Sequence, residues 1–170
     1  MSEQTRMPAE IGSVKMTMDE LAGRLAELFA GELTDVAVQE PDTVVARLDR
    51  GKLRDVARRL RQMPEIGYES CNFIAGVDYV THLESVYHLY SYATNTYLEV
   101  HVQVPRANAT CPTVTDVWPS ADWHEREAWD MVGIKYEGHP DLRRILLKDD
   151  WIGHPLRKDY VDLIENHPHV

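Results

Sequence analysis

The chain has 170 residues and a formal net charge of −10; the length suits one domain with its own core, and the charge argues against nucleic acid as a partner, which calls for a basic face. Its two cysteines, Cys71 and Cys111, lie 40 residues apart with no C-x-x-C, too few for a cysteine-ligated iron–sulfur cluster or a structural zinc site within the chain. No run approaches the roughly 18 apolar residues of a spanning helix, and the opening MSEQTRMPAEIGSV lacks the apolar stretch of a signal peptide, so a cytoplasmic chain is expected that meets a membrane only through partners.

Charge is unevenly spread. Residues 1–64 hold 11 acidic and 10 basic side chains, whereas residues 65–115 hold five acidic ones and a single basic one, Arg106. The middle is therefore the expected core sheet. Residues 1–16 show no period and read as a flexible leader. Thr17 and Glu20 form a capping box, in which hydroxyl and carboxylate each accept an orphan N–H of the first turn. Leu21, Leu25, Leu28 and Phe29 repeat at helical spacing and Gly31 supplies the stop, predicting a helix over 17–30. Two short β-branched runs, 36–39 and 43–48, flank Glu40, Pro41 and Asp42 and predict a hairpin. A second helix is expected over 52–63, with Leu53, Val56, Ala57 and Leu60 on one face and Pro64 ending it. Its arginines, Arg54, Arg58, Arg59 and Arg61, read as a solvated face.

Three strands follow, at 68–75, 86–92 and 97–104. The last alternates most cleanly, Leu98, Val100, Val102 and Val104 against Glu99, His101 and Gln103. Gly76-Val77-Asp78 and Ala93-Thr94-Asn95 are the expected turns, and 105–118 reads as a loop. Residues 17–118 are thus predicted to form a two-layer α+β domain with a mostly antiparallel sheet covered by helices. A third helix is expected over 120–131, capped by Ser120, with Asp122 in its first turn and Gly133 after its end. Arg126 and Asp130, spaced i,i+4, are expected to pair along one face. Residues 119–160 comprise this helix and an extended C-terminal arm, and 161–170 a tail. A free tail is polar; this arm carries Ile145, Leu146, Leu147, Trp151 and Leu156 among paired charges, so it needs a surface to lie on, either its own domain or another chain.

Residues able to do chemistry crowd the same stretch. His124-Glu125 opens an H-E-x-x-H pattern, but the second imidazole position is Ala128, so the zinc-binding pair is missing. His124, His139 and His154 have no spacing that requires them to meet, and two of them sit in G-H-P turns. Glu125, Glu127 and Asp130 beside Arg126 read as an ion-paired structural cluster rather than an acid/base pair; a small hydrolase built on Glu125, Glu127 or His124 would instead be active as an isolated monomer and lose activity in Glu125→Gln. There is no G-x-S-x-G, P-loop or G-x-G-x-x-G. Arg143-Arg144 and Arg157-Lys158 stand beside apolar anchors, a combination that interface hot spots favour. Arg143, Arg144 and Arg157 are expected to make ion pairs across a subunit boundary.

The order of Glu125, Arg126, Glu127, Asp130, Met131, Gly133 and Ile134, then Gly138-His139-Pro140-Asp141-Leu142-Arg143-Arg144-Ile145-Leu146, then Pro155-Leu156-Arg157-Lys158-Asp159-Tyr160 resembles the signature of the 30-kilodalton subunit of the proton-pumping NADH:quinone oxidoreductase, respiratory complex I. The chain departs from it at Val132 and Tyr136, where the family usually has Phe, and at Val161, where Pro is common. The resemblance is sharpest over about 40 residues. It implies a subunit with no active site, metal or cofactor of its own, in a complex whose other subunits use NADH, FMN, iron–sulfur clusters and quinone. It also implies packing on the 49-kilodalton quinone-site subunit and nearby iron–sulfur subunits, on the cytoplasmic side of the cell membrane, with Glu125, Arg126, Glu127, Asp130, Gly133, Gly138, His139, Pro140, Arg143, Arg144, Trp151, Pro155, Arg157 and Lys158 as motif and interface residues. The same domain serving a membrane-bound hydrogenase, or a dehydrogenase fed by ferredoxin or F420H2, is the alternative within the superfamily.

Overall fold

A computed structural model describes residues 16–39 and 41–162. The expected leader and tail lie outside these residues except for Met16 and residues 161–162. The first helix, α1 (Met18–Leu28), starts at the capping box: Thr17 Oγ1 accepts the Glu20 N–H at 3.2 Å and Glu20 Oε2 accepts the Thr17 N–H at 2.8 Å. Its apolar stripe buries Leu21 and Leu25. Strands β1 (Leu33–Gln39) and β2 (Thr43–Leu48) form the expected antiparallel hairpin. A 3-10 turn leads into α2 (Leu53–Gln62), whose Leu53, Val56, Ala57 and Leu60 are buried. The α2 arginines are exposed, as expected of a solvated face, and make surface ion pairs there: Arg54 and Arg58 both reach Asp116, and Arg59 reaches Glu32.

A meander follows: β3 (Ser70–Asp78), β4 (His82–Ser91) and β5 (Thr96–Pro105). The five strands lie in the order β1-β2-β5-β4-β3, antiparallel except where β2 meets β5 in parallel, with Val44 opposite Leu98 and Ala46 opposite Val100. The fold is therefore α+β with a mostly antiparallel sheet. The alternation of β5 settles its two faces, since Leu98, Val100, Val102 and Val104 are all buried while Glu99 and His101 stand on the other face. The apolar face packs under the helices, where Leu53, Ala57 and Leu60 of α2 meet Leu48, Tyr87, Leu89, Val100 and Trp118. The opposite face carries Arg47, Glu84, His101 and Glu99 in one hydrogen-bonded chain, and a row of rings in which Phe73 stacks on His88 at 4.7 Å.

Gly76-Val77-Asp78 is not a turn. These residues complete β3, and the chain reverses at Tyr79–Thr81 instead. Gly76 is needed for another reason: a Cβ there would stand 3.2 Å from the Val132 side chain, so its absence lets α3 (Ala121–Val132) lie close against the sheet. The stretch 105–118 is not all loop, because β6 (Thr110–Pro112) pairs in parallel with β7 (Lys135–Glu137). Ser120 sits at the start of α3 but does not cap it; its hydroxyl donates to the Cys71 carbonyl at 2.9 Å. Among the described residues no helix is long and apolar enough to cross a membrane.

Candidate functional site

The signature stretch begins in α3, which is buried on several sides: Glu125, Arg126, Ala128, Asp130 and Met131 are all covered. Asp130 lies at the end of this helix with no exposure. Its Oδ2 accepts three successive backbone N–H groups of the arm, from Ile145 at 3.0 Å, Leu146 at 2.9 Å and Leu147 at 3.0 Å. Its Oδ1 receives Arg144 Nη1 at 2.5 Å. Consecutive N–H groups of this kind form a concave anion-binding nest, and here the anion is the chain's own carboxylate. Burial pushes the Asp130 carboxyl up, but the Leu147 N–H, the Arg144 guanidinium and the N–H groups of Leu146 and Ile145 together hold it below its usual range.

Arg144 does more than neutralise this charge. Its Nη2 donates to the carbonyls of Trp151 at 2.8 Å and Gly153 at 3.0 Å, so one planar fork closes a loop of the arm. Arg126 performs the same service one turn back, donating to the carbonyls of Arg143 and Arg144 at 3.2 Å each, with its guanidinium over the Trp123 ring. The expected Arg126–Asp130 pair does not form, because each group meets arm backbone instead. His154 Nδ1 donates to the Asp130 carbonyl at 3.0 Å, and the Leu156 N–H to the Met131 carbonyl at 2.9 Å, satisfying carbonyls at the helix end. Gly133 follows with φ of 83°; a Cβ there would come within 2.6 Å of the His154 ring.

A second carboxylate, Asp78, holds the far end of the arm. Its Oδ2 accepts the Lys158 N–H at 2.8 Å, its Oδ1 accepts the Val80 N–H at 2.7 Å, and Arg106 grips both oxygens. The Arg106 fork, against the opposing effect of burial, holds the Asp78 carboxyl well below the usual range, and the Lys158 and Val80 N–H groups add to it. Arg106 also meets Asp159 at 2.8 Å, and Arg157 meets the same carboxylate at 3.0 Å. Arg143 pairs with Asp141 two residues away. Arg143, Arg144 and Arg157 each find a carboxylate within the chain; Arg144 is nearly covered there, whereas Arg143 stays largely exposed.

Glu125 is also fully buried, and its partners are not cationic: Oε2 accepts the Thr113 hydroxyl at 2.5 Å and Oε1 the Val114 N–H at 2.8 Å. Burial pushes its carboxyl up to about 7, offset only in part by those two donors. Glu127 is exposed, so the three carboxylates form no ion-paired cluster; of the residues on which the hydrolase alternative is built, Glu125 is fully buried and out of a substrate's reach, while His124 is half-buried. The histidines do not converge. His139 Nε2 donates to the Asp122 carbonyl at 3.2 Å while Nδ1 accepts the Asp141 N–H at 3.0 Å, locking the Gly138-His139-Pro140 turn onto α3. Pro140, Gly138 and Lys158 are exposed; Trp151 and Pro155 are half-buried. Among the described residues no group of three or more His, Cys, Asp or Glu is placed to hold a metal ion. Sequence reasoning misses Asp78, Arg106, Asp122 and Thr113 as holding residues, although Arg106, alone as a base in a stretch of 51 residues, is a visible signal.

An α+β domain that folds an aperiodic arm onto its own helix α3 and strand β3 through two buried carboxylates, Asp130 and Asp78, defines the class. Residues 46–164 match the family described as the respiratory-chain NADH dehydrogenase 30 Kd subunit, and the chain belongs to that family of complex I subunits. It is 41% identical over 141 residues to an NADH-quinone oxidoreductase subunit of the same kind from Geobacter sulfurreducens, covering 81% of this chain and 85% of that one. A chain in the structure of the membrane-bound sulfane sulfur reductase, an archaeal respiratory membrane complex, superposes with a TM-score of 0.74 at 27% identity, covering 86% of this chain and 87% of that one. The trypsin-resistant fragment (1-134) of Nqo5 superposes with a TM-score of 0.62 at 30% identity, over 72% of this chain and 98% of that one. The enzyme is the complex, and other complex I subunits are the partners of this chain.

Proposed function

We propose that the chain is a cofactor-free subunit of the peripheral part of complex I, on the cytoplasmic side of the cell membrane. In this reading it packs through its arm against the 49-kilodalton subunit that helps to form the quinone site, with iron–sulfur subunits as further neighbours. Electrons pass from NADH through FMN and iron–sulfur clusters to quinone in those other subunits, and this chain supports the transfer, and the proton translocation coupled to it, by holding them in place. The observation that carries the reading is the arm, an irregular segment held in one conformation by Asp130 and Asp78 while several of its large apolar side chains face outward.

The test is to tag the chain in its host, solubilise membranes in mild detergent and analyse what co-purifies. A large particle with flavin and iron–sulfur absorbance and NADH:quinone activity is expected, with the arm cross-linking to the 49-kilodalton subunit. A colourless monomer would overturn the reading. The fit to a chain of the sulfane sulfur reductase complex favours, as a second reading, the equivalent place in a hydrogenase or in a dehydrogenase fed by ferredoxin or F420H2; co-purified particles that oxidise one of those donors and not NADH would select it.

A further inference from the structure

Asp78, Glu84, Glu125 and Asp130 are the buried carboxylates among the described residues, and three of them meet an arginine: Arg106 for Asp78, Arg47 for Glu84 and Arg144 for Asp130. Glu125 meets no cation among the described residues; it meets hydroxyls. Its Oε2 lies 2.5 Å from Thr113 Oγ1, which in turn lies 3.0 Å from Thr115 Oγ1. Thr113 is buried and Thr115 half-buried, so two hydroxyls lead from a carboxyl with no exposure toward the surface. This chain is satisfied in both protonation states. With Glu125 ionised, the Thr113 O–H donates to Oε2 and its oxygen accepts the Thr115 O–H; with Glu125 protonated, Oε2–H donates to Thr113 Oγ1, whose own hydrogen turns to Thr115 Oγ1. The Val114 N–H at Oε1, 2.8 Å away, and the Thr115 N–H at Thr113 Oγ1, 3.2 Å away, keep their acceptors either way.

We propose that Glu125 is a reversible proton-binding site that loads from solvent through the Thr113 and Thr115 hydroxyls, whichever complex holds the chain. On release the proton on Oε2 passes to Thr113 Oγ1, the hydrogen of Thr113 passes to Thr115 Oγ1, and that of Thr115 passes to a water or buffer base at the surface. One proton leaves and each hydroxyl keeps one; uptake is the reverse. A buried charge without a counter-ion is costly, and burial accordingly pushes the carboxyl up to about 7, which populates both states near neutral pH. The titratable groups that feel this carboxyl supply no positive charge: Asp122 on α3, Asp116 in the loop before it, Cys71 on β3, Tyr87 on β4, Cys111 on β6 and Tyr136 on β7. The nearby cations are engaged elsewhere. Arg126 turns to the arm carbonyls, Arg50 to those of Asn108 and Thr110, and Arg54 and Arg58 to Asp116. Burial pushes both thiols up to about 12 and raises both tyrosines well above their ordinary value, so among these buried groups Glu125 is the one that changes charge near pH 7.

Infrared difference spectroscopy of the purified full-length chain across pH tests this. The expected result is a protonated-carboxyl band that titrates near pH 7, moves when glutamate is labelled with carbon-13 and is missing in Glu125→Gln. After a jump to high pH the band should decay at least about tenfold more slowly in Thr115→Val than in wild type, the equivalent of one lost hydrogen bond in the path, and Thr115→Ser should restore the rate. No glutamate band titrating near neutral pH, or its persistence in Glu125→Gln, overturns the site. An unchanged rate in Thr115→Val overturns the path, and so does a slowing that Thr115→Ser shares, since that would trace to packing and not to the hydroxyl. Wild type alone supplies a further check: the band should decay faster than the loop opens, as read from Val114 amide exchange where opening limits it. Equal rates would mean that solvent reaches Glu125 only by local unfolding, and overturn the path.

Discussion

Glu125 and Asp130 sit on the same helix, neither exposed, and respond to pH in opposite senses. Asp130 is held below its ordinary range, so its contribution to stability is full at neutral pH and is lost as pH falls through the folded value. Glu125 is raised to about 7, so its contribution is full below the unfolded value near 4.5 and is lost as pH rises through about 7. Glu125→Gln keeps an acceptor for the Val114 N–H and gains a donor toward Thr113. Its stability advantage over wild type should therefore be small near pH 4 and grow to on the order of 3 kcal/mol by pH 8. Urea unfolding at several pH values measures this, and a pH-independent difference would refute the assignment. Asp130→Asn should cost about 3–5 kcal/mol at pH 7, because it leaves a covered Arg144 without its anion; a loss under about 1 kcal/mol would mean that the cradle is not structural. In the sequence Arg126 and Asp130 are four apart, and that spacing alone allows a pair. What spacing cannot show is that the arm returns to the same helix end and offers three N–H groups, which outcompete a neighbouring guanidinium.

At the scale of elements, what can be read is what repeats. The alternation of β5, the stripe of α1 and its capping box all have a period or a fixed spacing, and each forms close to its expected place. β6 and β7 are three residues long and carry no period, so their pairing follows only from the path of the chain. Gly76 reads as a turn because glycine has two uses, and only the packing of Val132 and Ala128 shows which one applies. Gly76→Ala should therefore push α3 from β3 and cost about 1–3 kcal/mol by overpacking, measured by thermal unfolding. A neutral outcome would mean that α3 adjusts freely. Gly133→Ala combines a left-handed φ of 83° with a clash against the His154 ring, and should cost at least about 1–2 kcal/mol; hydrogen exchange at the Leu156 amide should speed up with it.

For the whole molecule, the signature stretch is legible as family, but not in which of its side chains turn inward. Its arginines read as boundary-crossing groups because charge beside apolar residues is what interfaces favour, yet Arg144 closes a loop inside the chain and Arg157 pairs with Asp159. Direction is the missing quantity, since a sequence without period does not say which side chains of an arm turn in. The arm is folded on its own domain before assembly. The most direct measurement is hydrogen exchange of the purified full-length chain, read at the amides of Ile145, Leu146, Leu147 and Lys158. Protection is predicted there in the free chain, well above that of an unstructured peptide and lost in Asp130→Asn for the first three. Exchange at unstructured-peptide rates in the free chain, with protection appearing only in the assembled complex, would contradict it.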